Sequence, residues 1–235
     1  PSPPQPGPRI DLAHSGSDGP ARLALSFRLD SPSDETIAMA RLLASAFGAA
    51  TSGELSVGVW PNAEMTVLRS PRGDFFQGRH SSLLVFSGQS SPQEILRATN
   101  QLLASVLSFL NDSWSREQLV RSRRSLREIT SRIEGSTGSM ARSIGYDFVT
   151  TGDAATRSRT TALAMELSEE RIESLVRVLL NPETMAVTLV VPHLQDTVET
   201  EEISGPRVHG EFEEERIDTH GLEAELEEIV REAPD

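Results

Sequence analysis

The sequence has no cysteine, which excludes disulfide staples, thiolate metal ligands and a cysteine nucleophile. Lysine is missing too, so all 22 basic residues are arginine, as the coding bias of a GC-rich bacterial genome would produce. Aromatic residues make up only 5%, and no basic stripe rises above the mixed background, so nucleic-acid binding is not expected. No apolar run approaches the roughly 18 residues of a membrane span. The start, Pro1 to Pro8, is proline-rich instead of charged and then apolar, so neither a membrane span nor a retained signal peptide is expected, and the expected location is cytoplasmic. Gly-rich phosphate loops after a strand, Gly-x-Ser-x-Gly, His-x-x-Glu-His and His-Glu-x-x-His are all absent, which removes nucleotide, esterase and zinc-peptidase chemistry from this chain.

What remains is ordinary globular material: 235 residues, 37% of them hydrophobic, enough for one large domain with an appendage. The formal charge of −13 is placed unevenly. Residues 196 to 235 hold 15 acidic and 3 basic side chains, which gives 3 − 15 = −12, and the rest is nearly neutral. Three regions follow: a Pro-rich arm or linker over 1–8, a domain over 9–194, and an acidic tail over 195–235.

Along the domain, Arg9 to His14 and Ala21 to Leu29 are short alternating runs around a Gly/Pro turn and read as a hairpin or neighbouring strands. Ser33-Asp34-Glu35 opens a helix through Ile37, Ala40, Leu43, Ala44 and Phe47, closed by Gly48. Ala63 to Ser70 and Ser81 to Ser87 are the next strands, joined by a polar loop at Arg72-Gly73-Asp74 that reads as a plain turn. Capping boxes at Ser91 to Glu94 and Ser115 to Gln118 start two long helices, the second with an arginine-rich outer face that reads as solvated. A helix around Met140 to Val149 follows, then one from Ile172 to Leu180 capped by Ser168, and a buried strand from Met185 to Val191. Grouped strands with helices between them predict an α+β fold, a mainly antiparallel sheet with helices on one face.

The opening strands, the helix ending Leu42-Leu43-Ala44-Ser45-Ala46-Phe47-Gly48, the segment Thr51-Ser52-Gly53-Glu54-Leu55, and the closing helix and strand up to Val191-Pro192 resemble one unit of the M16 (insulinase and mitochondrial-processing-peptidase-like) metallopeptidases. The resemblance implies a metallohydrolase-type α+β unit that pairs with a sister unit around a peptide chamber. In such an assembly one unit carries the zinc motif and a distant Glu, and another supplies an Arg and a Tyr that hold the substrate carbonyl. Where the zinc motif would fall this chain has Arg41-Leu42-Leu43-Ala44-Ser45. Where the Arg and Tyr would fall, allowing a one-residue gap, it has Trp60 and Met65. The resemblance therefore implies a catalytically silent unit, with no catalytic, cofactor or metal residue of its own. Zinc is expected only in a homologous zinc-bearing partner, and Trp60, Asn62 and Met65 are the candidate contacts to that partner or to a peptide. The rival reading is a purely structural or scaffolding subunit with no peptidase role.

Of the five histidines, His14, His80, His193, His209 and His220, the last begins His220-Gly221-Leu222-Glu223-Ala224, which has Ala where an inverted zinc motif needs its second His. Together with His209 and Glu211 it reads as solvated. The tail contains one patterned stretch, where Leu222, Leu226, Ile229 and Val230 form an apolar stripe on an otherwise Glu-rich helical pattern.

Overall fold

The computed structural model describes residues 9–15, 19–48, 67–111, 114 and 116–192. Among these residues five strands form one sheet in the order β1-β5-β2-β4-β3: β1 (Arg9–Ser15), β2 (Ala21–Asp30), β3 (Arg69–Phe76), β4 (Ser81–Ser90) and β5 (Met185–Pro192). Only the β1–β5 pair is parallel; the other three pairs are antiparallel. Among the described residues six α-helices accompany the sheet: α1 (Asp34–Gly48), α2 (Ile95–Asn111), α3 (Arg116–Glu134), α4 (Thr137–Thr151), α5 (Thr156–Glu166) and α6 (Glu169–Leu179). The architecture is the expected α+β one, with α1 and α2 against one face of the sheet, α6 packed on both of them, and α3 and α5 outside α1.

The alternation of buried and exposed residues in β2 and β4 shows why the sheet is one-sided. Leu23, Leu25, Phe27, Leu84 and Phe86 point to the helices and are buried, while their neighbours point away. On the inner side Phe86 meets Phe47 of α1 edge-on, with ring centroids 5.0 Å apart. Every residue of α1 from Ile37 to Phe47 is buried, because α1 lies between the sheet and the outer helices.

Three sequence expectations are corrected. The first two strands are not a hairpin: β5 lies between them, pairing with β1 through Leu12↔Leu189 and with β2 through Leu23↔Leu189. The apolar run Met185 to Val191 gains two partners there, which leaves the more polar β1 at the edge. Next, Arg72-Gly73-Asp74 is not a turn but the middle of β3, paired with Ser87, Phe86 and Val85. The strand begins at Arg69, later than the expected Ala63, and residues 63–66 lie outside the described part. A register shift between Arg69 and Arg72 accommodates Pro71 on an edge strand. Gly73 is needed for packing, since a Cβ there would stand 2.6 Å from the carbonyl oxygen of Ala44 and 2.8 Å from its Cα. Finally, α5 has no counterpart in the sequence reading. Its buried stripe is Thr156, Thr160 and Ala164, so no apolar period marks it.

Capping also differs in detail. Ser168 caps α6 by accepting from the Arg171 amide. Ser91 makes no such bond; its hydroxyl donates to Glu94 Oε2 at 2.9 Å, and a short 3-10 turn, Pro92–Glu94, precedes α2.

Candidate functional site

Arg41 stands in the middle of α1 with 7% of its surface exposed. Its Nη1 donates to Thr160 Oγ1 on α5 at 2.7 Å and its Nη2 to Gln77 Oε1 at 3.0 Å. Asp147 Oδ1 on α4 lies 3.8 Å from Nη2. Asp147 itself is 1% exposed, and its Oδ2 accepts from the Arg157 amide at 2.9 Å, at the start of α5. The Tyr146 hydroxyl donates to the Gln77 carbonyl. One guanidinium thus ties together α1, α4, α5 and the segment after β3.

Burial is the main cause that pushes the Arg41 pKa down, to about 10, with the nearby Arg157 adding to it; Asp147 and Tyr146 oppose the shift. Arg41 remains charged at neutral pH. Asp147 Oδ1 and Arg157 Nε are buried without a hydrogen-bond partner, so the cluster keeps its charge at a desolvation cost that only good geometry offsets.

Above this cluster lies a cleft of about 800 Å³, walled by the β2–α1 loop, the β3–β4 turn and the α4–α5 junction. Asp34, Ile37, Gln77, His80, Phe148 and Arg159 are among its lining residues. Arg159 is gripped from both sides: Nε donates to Asp34 Oδ2 at 2.7 Å, and Nη1 pairs with Asp153. These bonds hold the Arg159 pKa above its ordinary value. The Asp153 carboxyl is held below its ordinary value, first by the Ala155 amide and then by Arg159. A guanidinium already paired with two carboxylates is not free to polarise a carbonyl.

The zinc-bearing positions implied by the resemblance can be tested against this geometry. Arg41, Ala44 and Ser45 offer no imidazole and no carboxylate. The Ser45 hydroxyl is already engaged with the carbonyls of Leu42 at 2.8 Å and Ser122 at 3.3 Å, and Arg41 is bonded as described. These residues do not fit zinc, and no chemical step is assigned to a metal here. Among the described residues no group of three or more His, Cys, Asp or Glu is placed to hold a metal ion. The site candidates Trp60, Asn62 and Met65 lie outside the described residues.

The cluster was missed by sequence reasoning, which saw only that ligands were lacking at Arg41. A signal was present: Asp147 is the single acid of a helix otherwise made of small, apolar and hydroxyl residues with one arginine. On the outside of that helix Met140, Ile144, Phe148 and Val149 are 39%, 40%, 61% and 73% exposed. The first three follow one another at four-residue spacing, an exposed apolar stripe whose Phe148 end borders the cleft. No helix among the described residues is long and apolar enough to cross a membrane.

No protein-family model matches the sequence, and no curated protein matches it. At the level of structure, the fold is that of M16-like peptidase units. A protease from Helicobacter pylori superposes with a TM-score of 0.64 at 14% identity, covering 81% of this chain and 45% of that one. A chain of Complex III2 from Candida albicans gives 0.64 at 7% identity, covering 79% and 46%. The peptidase M16 inactive domain from Pseudomonas fluorescens gives 0.58 at 12% identity, covering 80% and 45%. The chain therefore spans less than half the length of each of these three.

Proposed function

We propose that this chain is a catalytically inactive M16-like unit that pairs with a homologous zinc-bearing unit and forms chamber wall and dimer interface in bacterial peptide processing. The carrying observation is Arg41: at the helix position where the resemblance implies a zinc ligand, the chain has a buried guanidinium hydrogen-bonded to Thr160 and Gln77 and 3.8 Å from Asp147. Two further facts support pairing. Two of the similar solved chains, the Helicobacter pylori protease and the Pseudomonas fluorescens inactive domain, are about twice as long, and α4 presents an apolar stripe to the outside. Trp60, Asn62 and Met65 are assigned to the contact with the partner or with a peptide. No cofactor is assigned to this chain; zinc belongs to the partner unit.

The test is elemental analysis and peptide cleavage by the purified chain, followed by co-purification from its host. No stoichiometric zinc, no cleavage, and recovery with a chain bearing His-x-x-Glu-His are expected. Stoichiometric zinc with chelator-sensitive proteolysis by this chain alone overturns the reading. The likeness to a chain of Complex III2 favours a second reading, a scaffolding subunit without peptide substrate, which recovery in an unrelated complex would support. The cytoplasmic location is part of the proposal and is checked by fractionation of the host.

A further inference from the structure

The sheet face turned away from the helices carries small residues on its floor and arginines at one end. Across the last row in which β5 pairs with β2, Arg69, Gln89, Arg22 and Val190 stand side by side. The next row places Arg72 beside Ser87, with Ala24 and Thr188 beyond it. All of these but Arg69, which stands at the end of its row, line a trough of about 410 Å³. Arg72 reaches Asp74 at 3.3 Å, but among the described residues neither Arg22 nor Arg69 has a carboxylate partner. Helix α3 has more arginines, of which Arg121 and Arg124 are paired within the helix, with Glu117 and Glu128. The trough thus combines two arginines without a carboxylate partner among the described residues with a floor of small side chains.

The chain also carries the complementary charge. β5 ends at Pro192, next to the Arg22↔Val190 pair, and residues 196–235 have the net charge of −12 counted above. Within them, residues 222–230 combine four glutamates, no basic residue, and the apolar positions Leu222, Leu226, Ile229 and Val230 at helical spacing. The 29 intervening residues, 193 to 221, can span roughly 90 Å when extended, whereas a five-stranded sheet is only about 20 Å wide. Reach does not limit the encounter.

We propose that residues 222–230 of this chain dock across the trough, their apolar positions on Ala24, Thr188 and Val190 and their glutamates against Arg22, Arg69 and Arg72. Small floor residues let a segment approach the sheet closely, and a basic rim selects an acidic occupant over the neutral body of another copy. The assignment does not depend on the M16-like reading of function.

The test is amide hydrogen exchange on the full chain at low salt, read over residues 222–230. The wild type is expected to exchange there at least about tenfold more slowly than a free peptide of the same sequence, and to lose that protection at high salt. Two variants should each abolish it: Arg22→Glu/Arg69→Glu/Arg72→Glu on the sheet, and Leu226→Asp/Ile229→Asp in the tail, where no change to the body is made. Adding Glu223→Arg/Glu227→Arg to the sheet variant should restore part of the protection. Free-peptide exchange in the wild type overturns the proposal. So does protection that survives the arginine reversals, which would place the segment on another face, or protection that scales with protein concentration, which would assign the trough to the tail of a second copy.

Discussion

Helices α1 and α4 are both fifteen residues long, and each has a single arginine, yet their surroundings are opposite. In α1 every residue from Ile37 to Phe47 is buried; in α4 only Asp147 is. The buried helix keeps a charge, Arg41, in its middle, while the exposed helix turns apolar side chains outward and its one acid inward. Each violates the expected polarity, and the two violations meet in the Arg41–Asp147 pair. What attaches α4 to the body is therefore largely polar: this pair, the Arg157 amide on Asp147 and the Tyr146 hydroxyl on Gln77.

The largest effect should come from breaking that pair from the α4 side. Asp147→Ala leaves Arg41 buried without its acid and is expected to cost about 3–5 kcal/mol, measured by urea unfolding. Arg41→Met/Asp147→Leu removes both charges and should recover most of that loss. If Asp147→Ala costs less than about 1 kcal/mol, solvent reaches Arg41 and α4 is not anchored as described.

Glycine substitutions sharpen the same contrast with opposite signs. At Gly73 a Cβ meets the backbone of Ala44 in α1, and neither side can yield cheaply, so Gly73→Ala should destabilise by about 1–3 kcal/mol. Gly145 in α4 has nothing within 4 Å of an added Cβ. There, alanine should stabilise by about 0.5–1 kcal/mol, because glycine in a helix interior carries the larger entropy loss. Equal effects at the two positions would contradict the packing difference between the helices.

On the outer side of α4, Phe148→Ser is expected to change stability by no more than about 0.5 kcal/mol, since Phe148 is 61% exposed. Its consequence should appear in association: recovery of the partner unit falls if the stripe is the pairing surface. Undiminished recovery would move the interface elsewhere.

These contrasts also explain which parts of the fold were legible in the sequence. β2, β4 and β5 alternate, and α2, α3 and α6 carry apolar stripes, because each packs one face against the core; those elements were found within a few residues. α5 was invisible because threonines form its buried side: the Thr160 hydroxyl donates to the Thr156 carbonyl at 2.8 Å and accepts from Arg41. The placement of β5 between β1 and β2 depends on pairing between residues some 160 positions apart, such as Ser26 with Ala186, which local pattern cannot convey. At the site, the lack of zinc ligands around Arg41 was readable from residue types alone. Its actual partners come from three other segments and were not.

The smallest expected effect separates the exposed clamp from the buried pair by pH. Asp153 is held below the ordinary carboxylate range by the Ala155 amide and by Arg159. A depressed folded value means that the folded state keeps Asp153 charged where the unfolded chain already takes up a proton. Its stabilising contribution is therefore full above the unfolded value of about 3.9 and is lost as pH falls through the lower folded value. Arg41 works at the other end: burial penalises its charged form below about 10, and that penalty fades as pH rises towards the ordinary arginine range. Acid titration thus reads Asp153 without interference from Arg41. Melting temperatures of the wild type and Asp153→Asn should differ by a small constant amount between about pH 5 and 7, converge as pH falls below about 4, and converge also in high salt, because the clamp is exposed and screened. A difference that persists at pH 2 would mean that the Ala155 amide contact, which an asparagine oxygen can also accept, was lost for steric reasons and that charge on Asp153 contributes little.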